Sequence, residues 1–411
     1  MTVALLKYYE RNQQKSQTKF MKTGYSIRTW RMRLVCPEPI WLARTEEYFQ
    51  NVVEFYYHLL RQHEELWNSS LFDIQRSLEL LTLTGRDGRQ PTNPLPMGKV
   101  PVYLRRAAIN KASATVKSTQ ELQSGFPEKL EAKVTFFKGM YSDLTDRSIC
   151  LKLWNGEKWI WTDCNLKGRP FPQDGQLMSP TLVKEGRRYL LNIPVKQENS
   201  DARTAKERMA EGTNLCSVRF TNTDTFAVCC ILDEQGKQLA VHTCRGGDAY
   251  RHRCKLLETR IQKSRPNTVG DNSPQPNRKY YIHLKNLSEH YAHQVSREIL
   301  NFCKENQAGI IVLPDYDQNF TRMAMVKSGN FSPLHLSSKI RTNLQYKAWA
   351  EGILVLETRT DGLKDKCAIC GGKVRRKGNE FLCENGHQGN RFLNDARNLG
   401  RKCQESFFSR K

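Results

Sequence analysis

The stretch Cys216–Cys244, CSVRFTNTDTFAVCCILDEQGKQLAVHTC, is the one that best indicates the fold of the C-terminal half of the chain. Apolar and β-branched residues form three short runs in it, and polar turn residues separate these runs. The segment DEQGK, residues 233–237, suits the connection of a hairpin. We therefore predict strand, turn, strand, turn, strand, and the start of a new domain near Cys216.

Helices and strands follow this stretch in a recognisable order. Two long helices joined by a polar linker come first, and then a strand, a basic helix and a last strand. Three strands, helix, strand, helix and strand is the order of an RNase H-like α/β fold. The predicted elements are helix 248–265, linker 265–277, helix 280–307, strand 309–315, helix 337–352 and strand 353–359.

The amino-terminal half changes from one period to another. YSIRTWRMRLV (Tyr25–Val35) alternates as a strand, and apolar residues from Trp41 to Trp67 recur at three- and four-residue steps, which predicts a long amphipathic helix. Two more helices are predicted at 71–81 and 101–118. Short strands rich in β-branched and aromatic residues then follow. We predict a small β-barrel into which the helices are inserted.

A metal-binding pattern lies near the C-terminus. Cys367, Cys370, Cys383 and His387 are spaced C-x2-C-x12-C-x3-H, which can close a tetrahedral zinc site. Glycines after Cys370 and before His387 suit the tight turns of such a knuckle. Cys403 is an alternative to His387 as the fourth ligand. We predict a structural Zn²⁺ ion, which fixes geometry and does no chemistry by itself.

The composition indicates a polyanionic partner. The chain has 411 residues, a formal net charge of +23 and a sequence pI near 9.5. A run of about 18 apolar residues and a signal-peptide pattern are both missing from the sequence, which argues against a membrane as that partner. We expect a cytoplasmic, nucleic-acid-binding protein, and most of its 13 cysteines as small buried apolar residues.

These features together resemble the RuvC-type nucleases of the TnpB family and the related miniature type V CRISPR effectors. The stretches that carry the resemblance are HQVSREILNFCKENQAGIIVLPD, SSKIRTNLQYKAWAEGILVLETR and CAIC followed by CENGHQGNRFLNDARNL. The family usually completes its zinc site with a second C-x2-C, where this chain has Cys383 and His387.

The resemblance implies an α+β multidomain protein. An amino-terminal β-barrel (wedge) with an inserted helical recognition domain precedes an RNase H-like (RuvC) α/β domain with a C-terminal zinc knuckle. The implied boundaries are a basic arm at 1–25, the wedge strand and recognition insert at 26–130, the wedge barrel at 131–210, the RuvC-like domain at 211–360, the zinc-binding target-nucleic-acid-binding insert at 361–390, and a final helix and tail at 391–411.

The catalytic positions that the resemblance implies are altered. RuvC chemistry uses two divalent cations about 4 Å apart, which carboxylates hold and neutralise. Arg219 stands in place of the family's first-strand aspartate, Pro314 in place of the acid after the long helix, and Phe392 in place of the aspartate before the last helix. A guanidinium cannot lose its proton to make room for a metal ion. We therefore expect no nuclease activity and no catalytic Mg²⁺.

An alternative is an active endonuclease whose acids have moved. Asp224, Asp315 and Asp395 lie within five residues of the altered positions. A shift by one residue along a strand turns the side chain to the opposite face, and Asp224 falls in a predicted turn. Asp315 and Asp395 are interpreted as a strand-end carboxylate and as a residue in the first turn of a helix.

The function implied is RNA-guided binding of double-stranded DNA without cleavage, which acts by occupancy as transcriptional repression or recruitment of a partner. The implied partners are a guide RNA, duplex DNA with a short adjacent motif and a transcription or transposition protein, with one or two copies of the chain on one RNA. We expect a prokaryotic, nucleoid-associated protein. A further alternative is an unguided nucleic-acid-binding transposon accessory protein.

Basic residues that could contact nucleic acid occur throughout the chain. We single out clusters on the first strand, on the third helix, before the last RuvC-like strand and in the knuckle. They are Arg28, Arg31, Arg33, Arg105, Arg106, Lys339, Arg341, Arg375, Arg376 and Lys377.

Overall fold

The computed structural model describes residues 24–85, 87–172, 174–263, 277–315 and 331–408. The chain divides into two units, which we call the amino-terminal unit (Ile27–Gln197) and the C-terminal unit (the other described residues). The arm predicted at 1–25 and the linker predicted at 265–277 lie almost entirely outside the described residues.

The amino-terminal unit combines one sheet with helices that follow its first strand, as predicted. The helices are α1 (Pro39–Gln62), α2 (Leu71–Thr82) and α3 (Val102–Leu122). The strands are β1 (Tyr25–Val35), β2 (Tyr141–Ser142), β3 (Ser148–Trp154), β4 (Trp159–Lys167), β5 (Gln176–Leu177), β6 (Thr181–Glu185) and β7 (Arg188–Glu198).

The sheet of this unit is a half-barrel. Its strands pair in the order β2, β3, β4, β1, β7, β5, and β6 pairs with β7. Within the described residues the end strands β2 and β5 do not pair with each other, so the predicted barrel is open.

Helices α1 and α3 pack against each other in the core of this unit. Ala108 and Ala112 of α3 are fully buried in this core. The buried residues of α1 recur at helical spacing: Phe49, Val52, Val53, Tyr56 and Leu60.

The C-terminal unit is built around a five-stranded sheet. Its elements are α4 (Ala205–Ala210), β8 (Leu215–Phe220), β9 (Thr225–Leu232), β10 (Gln238–Arg245), α5 (Gly247–Lys263), α6 (Arg278–Glu305), β11 (Ile310–Asp315), α7 (Ser337–Trp349), β12 (Leu354–Arg359), β13 (Val374–Lys377), β14 (Glu380–Cys383), β15 (Gln388–Asn390) and α8 (Arg391–Phe408).

The sheet order is β10, β9, β8, β11, β12, and strands β13 to β15 form a separate small sheet. The pairs β8/β9 and β9/β10 are antiparallel, while β11 runs parallel to both β8 and β12. The carboxyl ends of β8, β11 and β12 therefore lie at the same edge of the sheet. The predicted strands 216–244, 309–315 and 353–359 all form.

Helices cover both faces of this sheet. Cys216, Val218 and Phe220 of β8 pack in the same cluster as residues of α5, α6 and α7. Leu215 points to the other face, where it packs with Leu399 and other residues of α8. Gly400 allows α8 to approach the sheet closely, because a Cβ atom there would lie 2.5 Å from Leu232 Cδ1.

The cysteines are mostly buried, as predicted. All are buried except Cys150, which is half-buried, and Cys370, which is exposed. Burial raises the pKa of the Cys230 thiol to about 11, so this residue behaves as a small apolar side chain. No helix among the described residues has the length and apolarity needed to cross a membrane.

Candidate functional site

The predicted knuckle forms from two turns held by a hairpin. Strands β13 and β14 pair antiparallel, with Val374 opposite Cys383. The Cys367 carbonyl accepts a hydrogen bond from Gly371 N at 2.8 Å, and the Cys383 carbonyl accepts one from Gly386 N at 3.0 Å. Both glycines have positive φ, at 74° and 82°, as expected for these tight turns.

The four predicted ligands come together. The ligand atoms of Cys367, Cys370, Cys383 and His387 all lie within 4.8 Å of one another. The sulfurs of Cys370 and Cys383 are 3.3 Å apart, near the distance of about 3.8 Å between thiolates on a tetrahedral zinc ion.

Neighbouring N–H groups prepare the thiols for a metal ion. Ile369 N donates to Cys367 Sγ at 3.4 Å, and Asn385 N donates to Cys383 Sγ at 3.3 Å. The Asn385 side chain donates to Cys370 Sγ and is the largest cause that lowers the pKa of this thiol to about 6. A ligand must be deprotonated to bind metal, so this environment favours the metal-bound form of Cys370. At Cys383 the hydrogen bond from Asn385 N acts in the same direction, but burial and the neighbouring thiols raise the pKa of this residue.

His387 fits the same purpose. Its Nδ1 is buried and makes no hydrogen bond of ordinary geometry within the described residues, which suits a nitrogen that faces an ion. The alternative ligand, Cys403, lies on α8, and its side chain packs between this helix and the sheet, where burial raises the pKa of its thiol. The residues present therefore could bind zinc through three thiolates and one imidazole.

Two asparagines of α8 attach the knuckle to the rest of the unit. The Asn394 amide accepts from Ala368 N and donates to the Lys366 carbonyl, each at 2.8 Å. Asn398 donates to the same carbonyl at 2.8 Å. Both asparagines lie in the stretch CENGHQGNRFLNDARNL, which carries part of the family resemblance. Only the three-dimensional structure shows that they attach the knuckle.

Arg219 belongs to a largely buried charge cluster that has Asp395 at its centre. Its Nε lies 3.2 Å from Asp395 Oδ2, and the exposed fractions of the two side chains are 12% and 4%. Arg376 of the knuckle binds the other carboxylate oxygen at 2.6 Å and also donates to the Lys364 carbonyl at 2.9 Å. Both oxygens of Asp395 are thus occupied by guanidinium groups.

The position of Asp395 corrects one expectation. The first turn of α8 contains no acidic residue, and Asp395 lies in the second turn, three residues after Phe392. Residues three apart share a helix face, so Asp395 points toward the sheet from the same side as Phe392. Its carboxylate therefore pairs with Arg219 and does not act on the helix dipole.

Pro314 and Phe392 are the other two positions at which the resemblance implies a lost acid. Pro314 lies in β11, and its carbonyl accepts a hydrogen bond from Arg341 Nη2 at 2.6 Å. Phe392 is buried at the start of α8, with the Arg391 guanidinium 4.6 Å from its ring centre. Glu357 of β12 lies opposite Leu313 of β11 and pairs with Arg341 at 3.3 Å. Burial raises the pKa of this carboxyl group.

The shifted acids do not converge. Asp315 is exposed at the end of β11, where it lines a cleft of about 600 Å³ with Arg359, Lys364 and others. Asp224 lies in the β8–β9 turn, and its carbonyl accepts from Gly247 N. Among the described residues, the groups of His, Cys, Asp and Glu close enough to share an ion do not include Asp224, Asp315 or Asp395.

Arg105 is placed differently from the expectation that it contacts nucleic acid. It is 7% exposed, and its guanidinium binds Glu79 at 3.0 Å and the Val100 carbonyl at 3.4 Å. Arg106 binds the same carboxylate at 3.3 Å but is largely exposed. Arg105 therefore forms an ion pair with Glu79 in the core, because its hydrogen-bonding atoms are directed into the protein.

We expect Glu79→Ala to destabilise the amino-terminal unit by about 3–5 kcal/mol, because it leaves the buried Arg105 charge without its partner. Guanidinium unfolding of the full chain measures this loss. Glu157→Ala removes an exposed carboxylate of the same unit and should change stability by less than about 0.5 kcal/mol. Equal stability of the two variants would contradict the core role of Arg105.

The remaining basic candidates differ in accessibility. Arg33, Arg375 and Lys377 are exposed, while Arg28 is half-buried. The other four bind acidic side chains: Arg31 pairs with Glu185, Lys339 with Glu289, Arg341 with Glu357 and Arg376 with Asp395.

The sequence and the structure of the chain were compared with those of known proteins. A model of the Aq_aa04 family matches residues 26–155. No curated protein matches the chain in sequence. The structure entitled Cas12f1-sgRNA-target DNA complex is similar, with a TM-score of 0.53 and 12% identity over 92% of this chain and 99% of that one.

The mini-RNA-guided endonuclease CRISPR-Cas phi3 is also similar, with a TM-score of 0.51 and 9% identity over 95% of this chain and 96% of that one. Both similarities extend over both units. The chain therefore has the fold of the TnpB-like and miniature type V CRISPR effectors.

Proposed function

We propose that this protein binds double-stranded DNA under the direction of a guide RNA and does not cut it. The similar structures are a Cas12f1 complex with single-guide RNA and target DNA and an RNA-guided endonuclease, which supports both nucleic acids as partners. The net charge of +23 allows the protein to neutralise phosphates of two polyanions and to release their bound counterions. Pairing between guide and target would provide the sequence specificity.

The observation that carries the absence of cleavage is the Arg219–Asp395–Arg376 cluster. In an RNase H-like (RuvC) assignment of the C-terminal unit, Arg219 occupies the first-strand metal position. Metal-dependent cleavage requires carboxylates that are free to bind two cations. Here the carboxylate nearest that position, Asp395, is held by two guanidiniums at 3.2 and 2.6 Å, and guanidiniums keep their protons at any accessible pH.

The charge around this cluster opposes metal binding further. Burial and the nearby Arg219 lower the pKa of Lys364, and burial and Arg376 lower that of Arg391. These cations already repel one another, so a divalent cation would enter against a local excess of positive charge. The cluster is thus a structural replacement for a metal site.

The zinc knuckle has a structural part in this proposal. Zn²⁺ bound by Cys367, Cys370, Cys383 and His387 would fix the β13–β14 hairpin, which displays the exposed Arg375 and Lys377. These two side chains are then directed at a phosphate backbone from a rigid support. The wedge, recognition and RuvC boundaries given above belong to the same proposal.

The output of such a complex would be occupancy of its target. A protein that stays on matched DNA blocks a promoter or holds a transcription or transposition partner there. A nucleoid-associated location in a prokaryotic cell would follow from this activity.

Guided binding is tested by purifying the protein with its native locus, sequencing the bound RNA and measuring DNA binding by gel shift. We expect one defined RNA, and loss of binding when the duplex is mismatched next to the adjacent motif, where pairing begins. Binding that ignores the guide would contradict the proposal and favour an unguided nucleic-acid-binding protein.

We expect Arg219→Asp alone to leave the complex without nuclease activity. The substitution adds one carboxylate, but Arg376 still holds Asp395, and Pro314 and Phe392 remain at the other positions. Incubation with matched duplex and Mg²⁺, followed by denaturing electrophoresis, measures this. Nicking by this single variant would show that fewer new ligands suffice.

A further inference from the structure

A second group of metal-ligating side chains lies on the opposite side of the five-stranded sheet from α8. His242 and Cys244 are two residues apart on β10, so both side chains leave the same face of that strand. Helix α6 packs against this face and contributes Glu298. The ligand atoms of His242, Cys244 and Glu298 all lie within 4.8 Å of one another.

The packing holds these three side chains in place. The His242 imidazole stacks on the ring of Phe302, with centres 5.2 Å apart and an interplanar angle of 34°. Phe302 lies one turn after Glu298 on the same helix face, so one segment of α6 orients both the imidazole and the carboxylate. Cys244 is fully buried in the core of the unit.

One side of the group remains open. The His242 and Glu298 side chains are 36% and 32% exposed, and β10 is an edge strand that pairs with β9. His242 Nε2 and Glu298 Oε1 are 2.6 Å apart, which is a hydrogen bond in the absence of an ion. An imidazole and a carboxylate need no thiol for that bond, yet the Cys244 sulfur lies within 4.8 Å of the ligand atoms of both.

We propose that His242, Cys244 and Glu298 form a second divalent-metal site, separate from the knuckle. One nitrogen, one sulfur and one oxygen donor suit zinc or cobalt(II), and three protein ligands leave the fourth tetrahedral position to water. The ion would link the edge strand β10 to α6. This inference concerns other atoms than the proposed function and does not depend on RNA or DNA.

The test is titration of the full-length, reduced, chelator-treated protein with cobalt(II) chloride, followed by its visible and thiolate charge-transfer absorption. We expect two equivalents bound by the wild type and one by His242→Gln. Glu298→Gln is the second variant, because it keeps helix propensity and a hydrogen-bonding side chain and should also lose one equivalent. Circular dichroism checks that each variant is folded.

His252→Gln is the matched control. It removes an exposed histidine of α5 and should retain both equivalents. One equivalent in the wild type and an unchanged one in His242→Gln and Glu298→Gln would overturn the proposal and leave the pair as a hydrogen bond. Loss of an equivalent in His252→Gln as well would also overturn it, because the loss would then not be specific to the cluster.

Discussion

Asp395→Ala is expected to destabilise the C-terminal unit by about 3–5 kcal/mol, because it removes the buried carboxylate that the Arg219 and Arg376 guanidiniums share. Guanidinium unfolding of the full chain measures this change. Asp361→Ala, which removes an exposed carboxylate nearby, should stay within about 0.5 kcal/mol of the wild type.

The double variant Arg219→Met/Asp395→Leu separates a structural cluster from a latent metal site. Apolar side chains of similar volume commonly replace a buried ion pair with little loss, so we expect this variant to be more stable than Asp395→Ala. If Asp395 instead belonged to a metal site, it would be repelled by the other carboxylates of that site, and its removal from the metal-free protein would relieve this repulsion. Unchanged or increased stability of Asp395→Ala would contradict the cluster.

Cys383→Ser is expected to unfold the knuckle. Structural zinc contributes on the order of 10 kcal/mol to the folding of small zinc domains, and the hairpin β13–β14 has a core of only Cys367, Phe381 and Cys383 with Val374 against it. The exposed Lys373, Arg375 and Lys377 then become accessible to trypsin. We expect cleavage within residues 366–390 to accelerate at least about tenfold.

Two comparisons make this result interpretable. Treatment of the wild type with a chelator should reproduce the cleavage pattern of Cys383→Ser while the amino-terminal unit stays resistant. Cys150→Ser, which changes a half-buried thiol of the half-barrel, should leave the knuckle intact. Equal resistance of the knuckle with and without chelator would count against a structural metal ion.

Local patterns in the sequence predicted the elements of the C-terminal unit. The three runs in Cys216–Cys244 form β8, β9 and β10. Nearly all residues of β8 and β9 are buried, as expected for short apolar runs in a sheet that is covered on both faces. The spacing of Cys367, Cys370, Cys383 and His387 also predicted their convergence, since a knuckle is a local structure.

Pairings between distant residues could not be predicted in this way. Glu79, the partner of Arg105, lies on another helix, and the sequence contains no sign that separates this pair from a solvated one. The sequence similarly indicates a position for Asp395 in the first turn of a helix and not its ion pairs, because only the docking of α8 and the knuckle on the sheet brings Arg219 and Arg376 to it. Charge identity is local, whereas burial of a charge depends on the whole unit.

The most direct test of guided binding without cleavage is to incubate the purified RNA–protein complex with matched duplex DNA and Mg²⁺, and to measure bound DNA and cut strands in the same samples. Our account predicts tight, guide-dependent binding with both strands intact. Cut strands in the matched duplex would contradict it and would mean that Asp224, Asp315 or Asp395 holds a catalytic metal.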